Sequence, residues 1–272
     1  MCTEGKALLS LSVGKEETMI FEAVCMNHMG KVRSNNEDNF FFNGMVLFPD
    51  NQGLNRILTM SRETSVPVCV AVFDGMGGEE FGEEASYIAG NLLRERLPRE
   101  DGSEPENFLT RLCLDANKQV CDFAKEKHVR CTGSTVAALY AFEDRLWICN
   151  LGDSRVYALS EGNLIQWSVD HTDGAYLQQN GINKKPALTQ HLGIPTEEMM
   201  IEPFVDSRYP LPGEKYLLCS DGLTDMVDEK TIEAVLQEKI ELEQCAGKLM
   251  ELALNQGGRD NITLIVCRMT DV

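Results

Sequence analysis

Four acidic segments in this sequence carry residue types that could bind a metal ion. In each of them an aspartate stands within two residues of a glycine or an asparagine. The segments are Asn36-Glu37-Asp38, Asp74-Gly75-Met76-Gly77-Gly78, Ser220-Asp221-Gly222 and Arg259-Asp260-Asn261. Carboxylate oxygens carried at the ends of apolar strands are the ligands that hard cations such as Mg²⁺ and Mn²⁺ require. The four segments therefore predict a divalent metal site.

Asp74 is the strongest candidate ligand. The preceding residues 68–73 are almost wholly apolar, which is typical of a strand buried on both faces, and they lead directly into a glycine-rich turn. A carboxylate in that position is held rigidly, and the glycines let backbone carbonyls come close to an ion. Asp-Gly is also common in ordinary turns, so the interpretation of Asp74 depends on the other three segments.

Composition limits the classes of function that the chain can have. With 272 residues, of which 43% are hydrophobic, residues 1–272 are expected to form a single domain with a substantial core. A formal charge of −18 argues against nucleic acid and anionic membranes as partners. No apolar run approaches the roughly 20 residues that span a bilayer, so no membrane insertion is expected.

The cysteines and the N-terminal residues both favour a cytoplasmic location. The ten cysteines are scattered, lie mostly in apolar segments and form no Cys-x-x-Cys, which favours buried, reduced thiols. The first residues lack the basic start and apolar stretch of a secretory signal.

Hydrophobic periodicity predicts a chain of alternating strand and helix groups. Strands are predicted at residues 19–27, 39–42, 45–48, 68–73, 134–142, 145–150, 155–159, 164–168, 200–206, 215–219 and 261–268. Helices are predicted at residues 80–97, 106–127, 222–237 and 242–256. The polar, turn-rich stretch 49–67 is interpreted as a surface loop.

The order and flanks of the acidic segments resemble those of the protein phosphatase 2C family, also called PPM, in its bacterial form. The resemblance runs over residues 23–267. It implies an α+β fold in which two stacked antiparallel β-sheets, a β-sandwich, are flanked by pairs of α-helices, with the metal site at one edge. Asp-Gly-Met-Gly-Gly and the single compact domain favour a bacterial source.

The resemblance also implies a set of metal ligands for Mn²⁺ or Mg²⁺. Asp74 would bridge two ions, Gly75 would give its carbonyl to the first, and Asp221 and Asp260 would complete the second. Asp153, in Gly152-Asp153-Ser154-Arg155, matches an aspartate that in bacterial members helps to bind a third, weaker metal together with the counterpart of Asp221. A structural alternative is that the Asp153 carboxylate caps a turn between two strands.

Arg33, Glu37 and Asp38 belong to a segment that matches the family pattern Arg-x-x-Asn-Glu-Asp. The planar guanidinium of Arg33 suits phosphate binding, because it donates two hydrogen bonds and stays charged. An ordinary solvated arginine is the alternative. Glu37 and Asp38 are expected to orient metal-bound waters.

The implied activity is metal-dependent hydrolysis of phosphoserine and phosphothreonine in proteins by a water that bridges two cations. Arg33 and the metals would offset the charge on the phosphoryl oxygens. The implied partners are phosphorylated proteins, opposed by a Ser/Thr kinase, and a monomer is expected.

Two departures from the family pattern leave the general acid unassigned. Eukaryotic members carry a histidine directly after the Asp-Gly that corresponds to Asp74-Gly75, and many bacterial members carry one where this chain has Glu79. The flap segment that follows residues 170–172 is also compact. His171 either forms a hydrogen bond near this flap or is structural, and Gly133-Ser134-Thr135 is interpreted as the structural start of a core strand.

Three other functions compete with this interpretation. Cys149 and Arg155 fit the Cys-x5-Arg pattern of tyrosine phosphatases, but that chemistry needs a loop leading into a helix N-terminus, and the residues after Arg155 look like a strand. A catalytically inactive phosphatase fold would not need the metal ligands that are present here. Hydrolysis of small phosphoesters or nucleotides would use the same site.

Overall fold

The computed structural model describes residues 18–76, 80–211 and 213–271 of the chain. The strands are β1 Met19–His28, β2 Asn39–Phe42, β3 Leu58–Glu63, β4 Val68–Phe73, β5 Val136–Phe142, β6 Arg145–Leu151, β7 Arg155–Ser160, β8 Asn163–Gln166, β9 Phe204–Arg208, β10 Lys215–Cys219 and β11 Ile262–Asp271. The helices are α1 Gly82–Arg96, α2 Pro105–Lys127, α3 Gly174–Gln179, α4 Asp221–Thr224, α5 Glu229–Gln237 and α6 Leu242–Asn255.

The strands form two antiparallel sheets. One has six strands in the order β3-β1-β11-β10-β7-β8, and the other has five in the order β2-β4-β5-β6-β9. Apolar residues of the two sheets pack against each other in one buried cluster, while α1 and α2 cover the outer face of the five-stranded sheet and α4 to α6 cover the six-stranded one. The predicted α+β sandwich of two stacked antiparallel sheets flanked by helices is therefore confirmed.

Strand β4 shows how the sequence specifies this layering. Val70 and Val72 belong to the cluster between the sheets, whereas Ala71 and Phe73 belong to the cluster beneath the helices, and all four side chains are buried. Successive side chains of a strand point to opposite faces, so a strand covered on both sides has to be apolar throughout. The prediction of a doubly buried strand before Asp74 is confirmed.

The interpretation of residues 49–67 as a loop was wrong, because β3 lies within them. It pairs with β1 at the edge of the six-stranded sheet. Leu58 and Met60 are buried, while the alternate residues Thr59 and Ser61 are exposed. An edge strand with one solvated face contains few apolar residues, so the polar content of the segment concealed its period of two.

Three smaller differences concern single elements. The strand predicted at residues 45–48 is reduced to one bridge between Met45 and Phe42. The single helix predicted at residues 222–237 is two helices, α4 and α5, and the Asp228 side chain caps the second by accepting from Thr231 N. Helix α3 was not predicted.

Within the described part of the chain, no helix has the length and apolar character needed to cross a membrane.

Candidate metal centre

The ends of three strands bring the predicted ligands to one edge of the sandwich. β10 ends at Cys219 and β11 begins at Ile262, and these strands are antiparallel neighbours. Asp221 follows the first and Asp260 precedes the second, so the two carboxylates leave the sheet at the same end. Asp74 follows β4 of the opposite sheet. It lies near enough to Asp221 and Asp260 for their charges to raise its pKa.

The backbone of Asp74 is fixed from both sides by Thr135. Thr135 N donates to Asp74 O at 2.8 Å, and Asp74 N donates to Thr135 Oγ1 at 3.1 Å. The following residue must be a glycine, because a Cβ on Gly75 would lie 2.4 Å from Gly82 O and 2.5 Å from Glu37 O. The turn after β4 is thus wedged between α1 and the segment that carries Glu37, which keeps Asp74 in place.

A second close approach joins the segments of Asp221 and Asp260. A Cβ on Gly222 would lie 1.9 Å from Asn261 O, so only glycine allows this contact. The Asn261 side chain then holds the segment that contains Arg33. Its Oδ1 accepts from Glu37 N at 2.8 Å, and its Nδ2 donates to Met29 O at 2.8 Å and Asn35 O at 2.9 Å.

Asp38 lies at the centre of a buried network of hydrogen bonds. Its Oδ2 accepts from Ser220 Oγ and from Thr263 Oγ1, both at 2.7 Å. Thr263 Oγ1 in turn accepts from Asn27 Nδ2 at 2.7 Å. Burial raises the pKa of Asp38 to about 7, although the hydrogen bonds from Thr263 and Ser220 act in the opposite direction.

The aspartates of the centre raise one another's pKa values. For Asp74 the pKa is well above its ordinary value, because the group is buried and because Asp38, Asp221, Asp153 and Asp260 repel its negative charge. Burial and the charge of Asp221 raise the pKa of Asp153 to about 7. The structure therefore concentrates like charges in a region that is largely half-buried, which is unfavourable without a source of positive charge.

Two basic residues supply part of that charge. Arg33 Nη2 lies 2.7 Å from Asp260 Oδ2, and this hydrogen bond is the main reason why the pKa of Arg33 is raised. Lys185 Nζ lies 2.8 Å from Asp221 Oδ2 and 2.7 Å from Asp225 Oδ2. The Asp74 carboxylate receives no hydrogen bond from any described residue.

The donor chemistry of the centre fits a hard divalent cation. All the groups are oxygens, and a cation would relieve the repulsion that raises the pKa values of Asp74, Asp221 and Asp153. However, no three His, Cys, Asp or Glu side chains among the described residues converge as a ready-made ligand cluster. The carboxylates of Asp260 and Asp221 are paired with Arg33 and Lys185 instead.

Glu37 is anchored through its backbone, and its side chain is partly exposed. Glu37 O accepts from Gly75 N at 3.1 Å and from Ser86 Oγ at 2.7 Å. Burial and the nearby Glu83 raise the pKa of the Glu37 carboxyl, while Arg33 lowers it. Glu79 lies outside the described residues.

The alternative site at Cys149 and Arg155 has none of the features of a phosphate cradle. Cys149 is buried in β6 with its Sγ 3.5 Å from Cys113 Sγ, and this contact and burial raise its pKa. Arg155 opens β7, and its guanidinium is paired with Asp170 at 2.6 Å. The raised pKa disfavours the thiolate and the arginine is paired with Asp170. The strand predicted after Arg155 is present as β7.

Several residues of the centre were missed by sequence reasoning. Ser220, Asn261 and Thr263 adjoin predicted ligands, and their short polar side chains beside apolar strands were the available signal. Lys185 and Asp225 carried no recognisable signal.

His171 supports the turn that carries Asp153. It is half-buried, and burial lowers its pKa. Its Nδ1 accepts a hydrogen bond from Gly152 N at 3.2 Å.

Comparisons with known proteins agree with this architecture. The chain is 31% identical over 254 residues to the Serine/threonine phosphatase stp of Listeria welshimeri, covering 87% of this chain and 91% of that protein. It is 30% identical over 268 residues to the Serine/threonine protein phosphatase PstP of Mycobacterium tuberculosis, covering 93% of this chain but only 46% of that protein. The chain thus spans about half of the length of PstP.

Solved structures show the same fold. The catalytic domain of PstP, in complex with two manganese ions, superposes with a TM-score of 0.75 at 30% identity, covering 93% of this chain and all of that one. PppA of Pseudomonas aeruginosa superposes with a TM-score of 0.76 at 28% identity, covering 93% of this chain and 100% of its own. The protein phosphatase 2C profile matches residues 57–255. Because that match covers most of the chain, this chain belongs to the protein phosphatase 2C family.

Proposed function

We propose that this chain is a metal-dependent protein phosphatase that hydrolyses phosphoserine and phosphothreonine in proteins. Two relatives are named Serine/threonine phosphatases, and the PstP catalytic domain was solved with two manganese ions. Mn²⁺ is therefore the first cation to test. Mg²⁺ is part of the proposal because all the donors are oxygens, and a third ion is part of it because of the family resemblance at Asp153.

The proposal rests mainly on one observation, the group of mutually repelling aspartates around Asp74. A fold that served only as a binding module would gain nothing from bringing Asp74, Asp153, Asp221 and Asp260 within electrostatic reach of one another, since repulsion between like charges is destabilising without cations. This observation favours a working metal site over a catalytically inactive fold.

The proposed roles follow from the position of each group. Asp74, Gly75, Asp221 and Asp260 would hold two cations, and Asp153 with Asp221 would hold a third. Such a pair of cations, when bound, supplies a water of lowered pKa and positive charge for the phosphoryl oxygens. Side chains of the protein would bind the phosphate and orient the water.

Arg33 and Asp38 are proposed to act on substrate and water. The Arg33 side chain is 37% exposed at the mouth of the centre, so its guanidinium can reach a phosphate while staying near Asp260. Asp38 uses Oδ2 for Ser220 and Thr263, which leaves Oδ1 free to accept a hydrogen bond from a water. Glu37 would orient a water from the other side of the same segment.

The wider setting is also part of the proposal. The eight buried cysteines among the described residues are free thiols, which agrees with work in the reducing cytoplasm. Opposition to a Ser/Thr kinase, a monomeric state and a single domain over residues 1–272 stay predictions.

A phosphopeptide assay tests the proposal. The protein should release phosphate from phosphothreonine and phosphoserine peptides with Mn²⁺, and excess EDTA should stop the reaction. Thiol alkylation should leave it unchanged, because Cys149 is buried. Activity that survives EDTA but not alkylation would contradict the proposal, and faster turnover of nucleotides than of phosphopeptides would instead favour a small-molecule phosphatase.

A further inference from the structure

Lys185 connects a surface segment to the metal centre. Residues 174–186, here called the flap, comprise α3 and the turn that follows it. Lys185 Nζ lies 2.8 Å from Asp221 Oδ2 and 2.7 Å from Asp225 Oδ2. The lysine side chain is 59% exposed and that of Asp221 is 19% exposed, so an exposed ammonium group contacts a mostly buried carboxylate.

The base of the flap is fixed independently of this contact. Asp173 N donates to Ala187 O at 3.0 Å, and Ala187 N donates to Asp173 Oδ1 at 2.7 Å. Thr189 N donates to His171 O at 2.8 Å. These bonds keep the two ends of the flap together whether or not Lys185 is engaged.

The tip of the flap has no comparable backbone hydrogen bonds to the rest of the chain. Among the described residues, the hydrogen bonds of residues 175–186 are internal or run to Asp173 at the base, apart from the two that Lys185 makes with Asp221 and Asp225. Leu177 of α3 is also buried, so packing holds the helix, while the contacts of Lys185 with Asp221 and Asp225 join the turn after α3 to the metal centre.

The charge of Lys185 acts on two of the proposed metal ligands. Burial raises the pKa of Asp221, and Lys185 lowers it. Lys185 also acts against the pKa rise of Asp153, the other proposed ligand of a third ion. The ammonium group thus supplies the positive charge that this side of the centre needs in the absence of a cation.

We propose that Lys185 is a displaceable internal counter-ion that competes with a divalent cation for Asp221 and, when displaced, releases the flap tip from α4. This inference rests on the proposed function, since it concerns access to the same metal centre. An ammonium group and a divalent cation on the same carboxylate repel each other, so each weakens the binding of the other. By linkage, whatever stabilises the lysine contact weakens cation binding, and cation binding frees the flap by the same factor.

Calorimetric titration with Mn²⁺ tests the competition directly. Lys185→Gln should bind the weakest Mn²⁺ about three- to tenfold more tightly than the wild type, because an exposed charge exerts only a screened effect. Lys185→Arg keeps the charge and should stay within about twofold of the wild type. Lys184→Gln is the matched control, since it removes the same charge from the adjacent exposed position and should also have an affinity like that of the wild type.

Hydrogen–deuterium exchange of residues 174–186 supplies a readout that does not involve activity. Exchange there should rise in the wild type when Mn²⁺ is added and should already be high in metal-free Lys185→Gln. Equal Mn²⁺ affinities of Lys185→Gln and the wild type, or an equal shift in Lys184→Gln, would overturn the inference and leave the proposed function intact. A wild-type protein that binds no Mn²⁺ would overturn both.

Discussion

Arg33 and Asp260 form an ion pair in which Arg33 Nη2 lies 2.7 Å from Asp260 Oδ2. The residue expected to bind the substrate phosphate therefore also contacts a residue expected to bind a metal. Both side chains are partly exposed, at 37% and 30%, so the pair is accessible to an incoming ligand. The family resemblance implies phosphate binding by Arg33 and metal binding by Asp260 as independent roles, whereas in the structure the two side chains are in contact.

Arg33→Ala should weaken substrate capture without weakening metal binding. Losing a charge-assisted contact with phosphate costs about 2–3 kcal/mol, or roughly a hundredfold in kcat/KM. The Mn²⁺ affinity should stay the same or rise, because Asp260 loses a competing cation. Phosphopeptide kinetics and Mn²⁺ calorimetry on the same samples measure both effects. A collapse of Mn²⁺ binding would show that Arg33 supports the metal centre instead.

Asp74→Asn should abolish turnover and stabilise the metal-free protein. The amide keeps the size of the side chain but removes the charge that four neighbouring aspartates repel. Activity should fall by at least about a thousandfold, since the proposed bridging ligand is lost. Thermal unfolding in EDTA should occur at a higher temperature than in the wild type. Asp50→Asn, at an exposed position, is the control, and wild-type activity in Asp74→Asn would mean that the site is elsewhere.

The stability of the metal-free protein should depend on pH through Asp153. Its pKa is about 7 in the folded protein against an ordinary value of 3.8, so between these values the folded state binds more protons than the unfolded state. The contribution of Asp153 to the free energy of unfolding is therefore greatest at low pH and is lost as the pH rises toward about 7.

Asp153→Asn removes this contribution. The variant should gain stability relative to the wild type as the pH rises from 5 to 8, by about 1–3 kcal/mol at pH 8. Urea unfolding of both proteins in EDTA at several pH values measures the difference. A stability difference that does not grow with pH would contradict the assignment. With saturating Mn²⁺ the order should reverse, so that the wild type is more stable than Asp153→Asn.

Thr263→Val should shift the pH dependence of the activity. The substitution keeps the shape of the side chain but removes one of the two hydrogen bonds that lower the pKa of Asp38. The acidic limb of kcat/KM should move upward by roughly half to one pH unit. Thr263→Ser keeps the hydroxyl and should retain the wild-type profile. A lower activity with an unshifted limb would indicate that Thr263 has only a packing role.

The sequence by itself determined which residues could carry the chemistry and most of the elements that present them. The apolar run before Asp74 predicted a strand buried on both faces, and this is what β4 is, because a strand between two layers has no solvated side to break the run. The acidic segments, in their order, predicted the family. Both signals are local, so each can be read without knowing which parts of the chain meet.

The tertiary structure alone decided how these residues are held and which charges oppose them. The pair of Arg33 with Asp260 joins residues 227 positions apart, and that of Lys185 with Asp221 joins residues 36 apart. No local period or motif encodes such contacts, since they arise where the two sheets end at one edge. For the same reason β3 escaped prediction: its few apolar side chains become a recognisable pattern only when the sheet beneath them is known.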